Sequence, residues 1–511
     1  MPRFATSVPP QSEQRPLQLE WTKETLRSVV REKLGDGLFI IVSNREPYLH
    51  TFQGEEIISQ IPVSGLTIAL DPVMQTCGGV WIAHGSGDAD RYAVDEQDHI
   101  KVPPPPAEPT YTLRRVWLTK EEEAGYYYGF SNEAIWPLCH IAYTRPIFNE
   151  RDWETYVSVN RKFAQTVLEE VGNRNAFVLI QDYHFALLSR LLKQPNIRTA
   201  QFWHIPWPNP EAFRICPWSE QILDGLLGND LLGFHVRQHC QNFLDTVDRM
   251  IEAKVDYERF EVTRGGLTTM VRPFPISVDF EAIGAHANST EVASEIRQLK
   301  RRYGLRVPII GLGVDRIDYT KGIVERLHAL DRFFDQYHEL QGRCVFVQIA
   351  VPSRTHIPTY QRVSDELDQL VESINWKYGT GVWKPILYLK ETVSPTTLRA
   401  WYRMANLCVV SSLHDGMNLV AKEFVASRTD EDGVLVLSHF TGAARELTDA
   451  VLINPYAIDQ FARAMYQAIV MPPEERRKRM RKLRANLQEY TIYRWAGKML
   501  STLLKFQFED T

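Results

Sequence analysis

Arg316 and Lys321 stand five residues apart on a loop closed by Gly322, shortly after the apolar run Pro308-Ile309-Ile310-Gly311-Leu312. A forked guanidinium beside a point-charge ammonium, both at the end of a buried strand, suits a diphosphate. The competing reading is a pair of surface cations bridged to Asp315 or Asp318. A second such junction is Leu413-His414-Asp415-Gly416-Met417-Asn418-Leu419-Val420-Ala421-Lys422-Glu423-Phe424, which follows the β-rich run Leu407 to Ser411. Gly416 permits a tight turn. The helix expected from Leu419 offers free N–H groups and a partial positive charge to an anion. Asp415 and Glu423, about two helical turns apart, are unsuited to phosphate and fit sugar hydroxyls, which are good donors. Their bland alternative is a helix cap and a solvated charge.

Arg45 and Arg354 also follow apolar strands, one in each half of the chain. If the halves face each other, the two cations can converge on a second anion. His204 closes a strand and precedes Pro206 and Pro208, which fix the backbone. It reads either as a satisfied buried histidine or as a hydrogen-bond donor to a sugar hydroxyl. Asp182, at the end of the preceding strand, can orient a hydroxyl nucleophile or accept its proton. No Walker A loop, HExxH motif or GxGxxG fingerprint after a strand is present, which disfavours P-loop, zincin and nicotinamide chemistry.

The elements that must position these residues alternate. Leu38 to Val42, Phe177 to Ile180, Ala200 to Trp203 and Leu231 to His235 read as strands of one parallel, doubly wound sheet. After Pro273-Phe274-Pro275, which reads as a linker, Pro308 to Leu312, Cys344 to Ile349, Ile386 to Leu389, Leu407 to Ser411 and Val434 to Leu437 read as a second. Trp153, Tyr156, Phe163, Val167 and Leu168 recur at helical spacing. Gly125 to Asn132, with Trp136-Pro137, is the densest aromatic patch; its Gly, Ser and Asn suit a lined pocket. The expected division is an extension over 1–36, an acceptor-side domain over 37–275, a nucleotide-sugar domain over 276–485 and a C-terminal helix over 486–511 that packs back on the first domain. Pro472 to Phe506 reads as helical; its basic run Arg476 to Arg484 reads as a solvated face, and Trp495, Met499 and Leu503 form its docking stripe.

At 511 residues the chain exceeds one domain. A net charge of −5 and 24% charged residues argue against nucleic acid or an anionic membrane as partner. No apolar run reaches the ~18 residues of a bilayer span, and Met1 to Pro16 has no apolar signal core. The six cysteines show no CxxC spacing, so reduced core thiols, no zinc and a cytoplasmic location are expected.

From about Phe39 to Leu504 the chain resembles the trehalose-6-phosphate synthase family, retaining glycosyltransferases of the GT-B fold that also include glucosylglycerol-phosphate synthases. The motifs that carry the resemblance are Ser43-Asn44-Arg45, Tyr127 with Phe130-Ser131-Asn132 and Trp136-Pro137, Asp182-Tyr183-His184, His204-Ile205-Pro206, Arg316 to Gly322, Ser353-Arg354, Asp415 to Glu423 and Asn454-Pro455-Tyr456. The resemblance implies two Rossmann-like domains facing across a cleft. It implies glucosyl transfer in trehalose biosynthesis, from a nucleotide-glucose such as UDP-glucose to glucose 6-phosphate, with no metal and no cofactor. It implies that Arg316 and Lys321 bind the donor diphosphate, and that Glu423 holds the ribose. Asp415 with Gly416, Met417, Asn418, Leu419 and Val420 holds the glucosyl group and phosphates. His204 and Gly65 lie by the donor, and Asp182 by the acceptor. Arg45, Tyr127, Trp136 and Arg354 match the acceptor-phosphate set. Closure of the two halves would exclude water.

The chain departs from the family pattern at three places. Ser64-Gly65 replaces a glycine pair, His84 replaces a tryptophan on the acceptor side, and His414 replaces an arginine. The departure at His84 keeps a glucosylglycerol-phosphate synthase, using ADP-glucose and glycerol 3-phosphate, as the alternative. A catalytically silent paralogue is the other; the presence of Arg316, Lys321, Asp415 and Glu423 argues against it. Homo-oligomerisation and the base of the nucleotide are left open by the sequence.

Overall fold

The computed structural model describes residues 20–62, 65–506 and 508. Of the expected extension, residues 1–19 lie outside the described residues, as does Ser64; the helix Lys23–Leu34, capped by Thr22, is within them.

The first sheet has ten strands. Its run from Leu267–Pro273 through Leu231–Phe234, Ile197–Phe202, Ala176–Gln181, Leu38–Arg45 and Val80–His84 to Tyr111–Val116 is parallel. Leu38–Arg45 and Ala176–Gln181 are buried almost throughout, as strands covered on both faces must be. Antiparallel strands close both edges: Lys254–Asp256 with Glu261–Arg264 on one side and His99–Val102 on the other. The second sheet is parallel throughout, in the order Ile386–Leu389, Cys344–Val351, Ile309–Arg316, Leu407–Val410, Val434–Ser438, Val451–Ile453.

Each sheet reverses its winding at one point, where a crevice opens at the carboxyl ends of the strands. In the first sheet the reversal lies between Leu38–Arg45 and Ala176–Gln181, which deliver Arg45 and Asp182. In the second it lies between Ile309–Arg316 and Leu407–Val410, which deliver Arg316 and the loop to Asp415. The expected GT-B architecture of two Rossmann-like units is present.

The crossing between the units is pinned from both sides. The Ile276 N–H donates to His235 Nδ1 at 3.4 Å, and the Ile276 carbonyl accepts from the buried Lys422 Nζ at 2.7 Å. One apolar cluster continues through this crossing, joining Phe202 and Leu231 to Phe274, Ile276, Val278 and Phe280.

Two readings of the sequence are corrected here, the solvated basic run and the pocket-lining aromatic patch, while the helical reading of the C-terminal segment stands. Pro472 to Phe506 is two helices, Pro473–Glu489 and Ile492–Leu503, because Thr491 caps the second through the Arg494 N–H. The second helix crosses back to the first sheet, with Trp495 edge-on to Phe202 at 5.2 Å and Met499 and Leu503 fully buried. The basic run is not simply solvated: Arg476 pairs with Asp432, and Arg484 donates to the Val425 and Ala426 carbonyls. The aromatic patch is the other correction. It winds as a π-helix over Ala124–Ile135, with the Trp136 N–H reaching back to the Ser131 carbonyl. Tyr126 and Phe130 point into the core against Tyr156, and Tyr127 alone of that trio turns to the cations described below.

Candidate active site

Arg45 ends its strand exposed and donates from Nη2 to the Tyr127 hydroxyl at 2.9 Å. From the second unit, Arg354 lays its guanidinium over the Trp136 ring at 4.1 Å, and Arg316 sits over the same ring at 5.8 Å. Burial pushes the Tyr127 phenol up, but the guanidiniums of Arg45, Arg354 and Arg316 outweigh it and hold the phenol down to about 8. The cations from the two halves therefore do converge on one aromatic pair.

Arg354 is buried; it touches Asp318 at 3.4 Å and Tyr183 Oη at 3.3 Å, and also donates to Tyr360. Arg45 and Arg316 make no ion pair among the described residues. Trp136 Nε1 and Arg354 Nε are buried without a hydrogen-bond partner there. Buried donors without partners are rare in folded proteins. Here they line the same cation-rich cleft, so an anionic ligand would satisfy them.

Asp182 has φ +71° and ψ −179°, a conformation otherwise almost reserved for glycine, and Arg354 has φ +50°. Such strain costs about 1–3 kcal/mol per residue and persists where the surroundings impose it. The Asp182 Oδ1 accepts the Tyr183 and His204 backbone N–H groups at 3.0 and 3.1 Å. Burial nevertheless pushes its carboxyl up to about 7. His204 is neutral, driven down to about 3 by burial. Its Nε2 lies 2.8 Å from the Gln181 side-chain amide, which holds the ring in place. His84 ends Val80–His84 beside Arg45 in register and donates from Nδ1 to the Val116 carbonyl at 3.1 Å.

Lys321 donates to the Asp415 carboxylate at 2.6 Å, and to neither acid that the sequence offered. Asp315 belongs to the buried Arg326 and Asp318 to Arg354. Asp415 is not the helix cap; Asn418 is, accepting from the Ala421 N–H at 3.0 Å. Leu419 begins that helix, with Val420 in its first turn. Gly416 is not at positive φ. A Cβ there would overlap the His204 carbonyl oxygen, so glycine is needed for close approach between the two units. Met417 is buried. Glu423 is buried as well, accepting from Arg399 at 3.1 Å and Tyr402 Oη at 3.2 Å, so its reading as a solvated charge falls. Gly65 opens the helix Gly65–Cys77.

Tyr360, Gln181, Arg399 and Tyr402 hold the expected site residues in place and were not singled out from the sequence. Tyr183, named within the Asp182-Tyr183-His184 motif but given no role there, bonds Asn132 and Arg354.

The sequence profile of glycosyltransferase family 20 matches residues 38–505. The chain belongs to that family. Among family 20 proteins, trehalose-6-phosphate synthases from Mycobacterium sp. (strain KMS) and Mycolicibacterium vanbaalenii are each 37% identical over 481 residues. That is 92% of this chain and 95% and 96% of theirs. An E. coli structure bound with UDP-2-fluoro glucose superposes with a TM-score of 0.81 at 29% identity, covering 93% of this chain and 100% of that one. A UDP-forming α,α-trehalose-phosphate synthase from Burkholderia xenovorans, in complex with glucose-6-phosphate, gives 0.81 at 29%, covering 91% and 100%. The glycosyltransferase assignment and the GT-B fold rest on these likenesses and on the two parallel sheets. No described helix is long and apolar enough to cross a membrane.

Proposed function

We propose that this chain is a retaining glucosyltransferase that moves glucose from UDP-glucose to glucose 6-phosphate, giving trehalose 6-phosphate. The observation that carries the reading is the convergence of Arg45, Arg316 and Arg354 on Tyr127 and Trp136, with Arg45 and Arg316 lacking any carboxylate partner among the described residues. That excess of positive charge between the two units calls for phosphate. The compounds bound in the two solved relatives support the substrate pair.

In this reading the donor diphosphate lies against Arg316, Lys321 and the helix amino terminus at Leu419, with the backbone of Met417 to Val420. Glu423 holds the ribose hydroxyls and Asp415 the glucosyl hydroxyls. Gly65 lies near the donor. His204 bonds a glucosyl hydroxyl. Arg45, Arg354, Tyr127 and Trp136 hold the acceptor phosphate, with His84 on the same side. Asp182 accepts from a neighbouring hydroxyl of the acceptor sugar and so orients it. The bond from glucosyl C1 to the diphosphate oxygen breaks as the acceptor oxygen bonds to the same face. The acceptor proton passes to the departing phosphate oxygen. The barrier falls through orientation and through fixed cations aimed at the charge that develops on the leaving group; those cations are protein side chains.

All six cysteines are free thiols, which supports a reducing, cytoplasmic setting. The test is initial rates with UDP-, ADP- and GDP-glucose against glucose 6-phosphate and glycerol 3-phosphate. UDP-glucose with glucose 6-phosphate should dominate; turnover only with glycerol 3-phosphate would overturn the reading.

A further inference from the structure

His414 has no part in the chemistry above, yet it makes a direct polar contact between the two units. Its Nδ1 lies 2.6 Å from the His140 carbonyl. A carbonyl can only accept, so Nδ1 carries the proton. His140 ends the short helix Trp136–His140, whose first residue is the ring under Arg354 and Arg316. The His140 ring bonds back to the Trp136 carbonyl at 2.8 Å and packs on the Trp136 ring at 4.1 Å. On the other side, His414 is followed by Asp415, tied to Lys321, and by Gly416, whose backbone rests on the His204 carbonyl. Two contacts within three residues thus bind the donor loop to the first unit.

We infer that His414 is a positioning residue, a latch whose Nδ1–H holds the Asp415–Gly416 loop against the Trp136–His140 helix and so couples the donor side of the cleft to the acceptor-phosphate side. The inference rests on the functional reading for the naming of those two sides, but the contact itself does not. An open cleft breaks the bond, because its two ends belong to different units. The closed cleft gains one partly buried hydrogen bond, worth about two- to tenfold in the closing equilibrium.

The test compares His414→Ala with His414→Asn, whose side-chain amide nitrogen can take the place of Nδ1, and with His414→Gln, whose amide lies one carbon further out. Hydrogen–deuterium exchange on the free proteins needs no substrate. The segments 136–141 and 411–418 should exchange faster in His414→Ala and His414→Gln than in the parent, and at the parental rate in His414→Asn, with melting temperatures alike. In turnover, His414→Ala should lower kcat by roughly two- to tenfold and raise the ratio of donor hydrolysis to transfer, and His414→Asn should restore both. Parental exchange and parental partition in His414→Ala would overturn the latch. So would loss in all three variants alike, which would mean that the ring's packing, not its N–H, matters. Absence of transfer by the parent protein would instead overturn the functional reading, and the exchange comparison would still decide the latch.

Discussion

The Lys321 ammonium and the Asp415 carboxylate meet at 2.6 Å although 94 residues separate them. They follow neighbouring parallel strands, Ile309–Arg316 and Leu407–Val410, at the point where the second sheet reverses its winding. The pair fixes the donor loop before any ligand arrives. It also presents a cation and an acceptor side by side, which is what a sugar diphosphate needs: one partner for the phosphate and one for the adjoining hydroxyls.

Lys321→Ala removes the cation and leaves Asp415 facing the diphosphate uncompensated. By analogy with the loss of one transition-state donor, kcat/KM should fall about 10²- to 10³-fold, with a lowered melting temperature as well because both side chains are largely buried. Steady-state kinetics checks it, and parental turnover would remove Lys321 from the site.

Tyr127→Phe deletes the acceptor of the Arg45 guanidinium. Hydrogen bonds to charged groups are worth about 1.5–3 kcal/mol, so the KM for glucose 6-phosphate should rise by about ten- to a hundredfold while the KM for UDP-glucose stays put. Equal effects on both substrates would contradict the placement of Tyr127 on the acceptor side.

Asp182 gives a pH dependence with a definite sign. Burial pushes its carboxyl up to about 7, so the folded chain holds the proton more tightly than the unfolded chain does. The stability tied to that proton is present below the ordinary carboxylate range and is lost as pH rises towards about 7. Asp182→Asn cannot ionise, so its stability relative to the parent should improve across that window, read from melting curves at a series of pH values. Activity should run the other way. Transfer by the parent should rise through about pH 7 as the carboxylate ionises. Asp182→Asn, which loses a hydrogen bond from the acceptor to a charged group, should fall about ten- to a hundredfold and lack that limb. A parental profile flat across about pH 6 to 8 would contradict the role.

Gly416→Ala places a methyl group against the His204 carbonyl oxygen. The two units would be held apart, so kcat should drop by about 10²-fold or more, the scale expected for a misplacement of about 1 Å. UDP affinity measured by calorimetry should change by only a few-fold. Retained transfer would show that this approach is not needed for catalysis.

Glu423→Ala strips the buried Arg399 guanidinium of its carboxylate. Breaking such a pair costs about 3–5 kcal/mol, visible as a lowered melting temperature together with weaker UDP binding. Glu423→Gln keeps an acceptor oxygen for Arg399 and Tyr402 and should separate the two effects, recovering stability more than affinity.

Much of this was legible in the sequence because parallel strands buried on both faces are written as near-continuous Val, Ile and Leu runs, and because cations placed just after them have few structural uses. The strands that deliver Arg45, Asp182, Arg316 and Arg354 were read in that way. Less legible were the edges of the first sheet, where Lys254–Asp256 and His99–Val102 are short and polar enough to pass for loops. The π-helix over Ala124–Ile135 has no period that a 3.6-residue search would find, so its core-facing aromatics passed for pocket lining. Partners distant in sequence were the rest: nothing near Lys321 pointed to Asp415, and nothing near Gly416 pointed to the His204 carbonyl. The turn chemistry of glycine suggested one reason for Gly416, and the packing between units supplied another.

The central claim is glucosyl transfer with retention onto a phosphorylated glucose held by cations from both units. The most direct measurement is nuclear magnetic resonance of the product formed from UDP-glucose labelled at glucosyl C1, with glucose 6-phosphate or unphosphorylated glucose as acceptor. The account predicts an α,α-linked disaccharide phosphate from glucose 6-phosphate and far slower reaction with glucose. A β-linked product, or equal rates with the two acceptors, would contradict it.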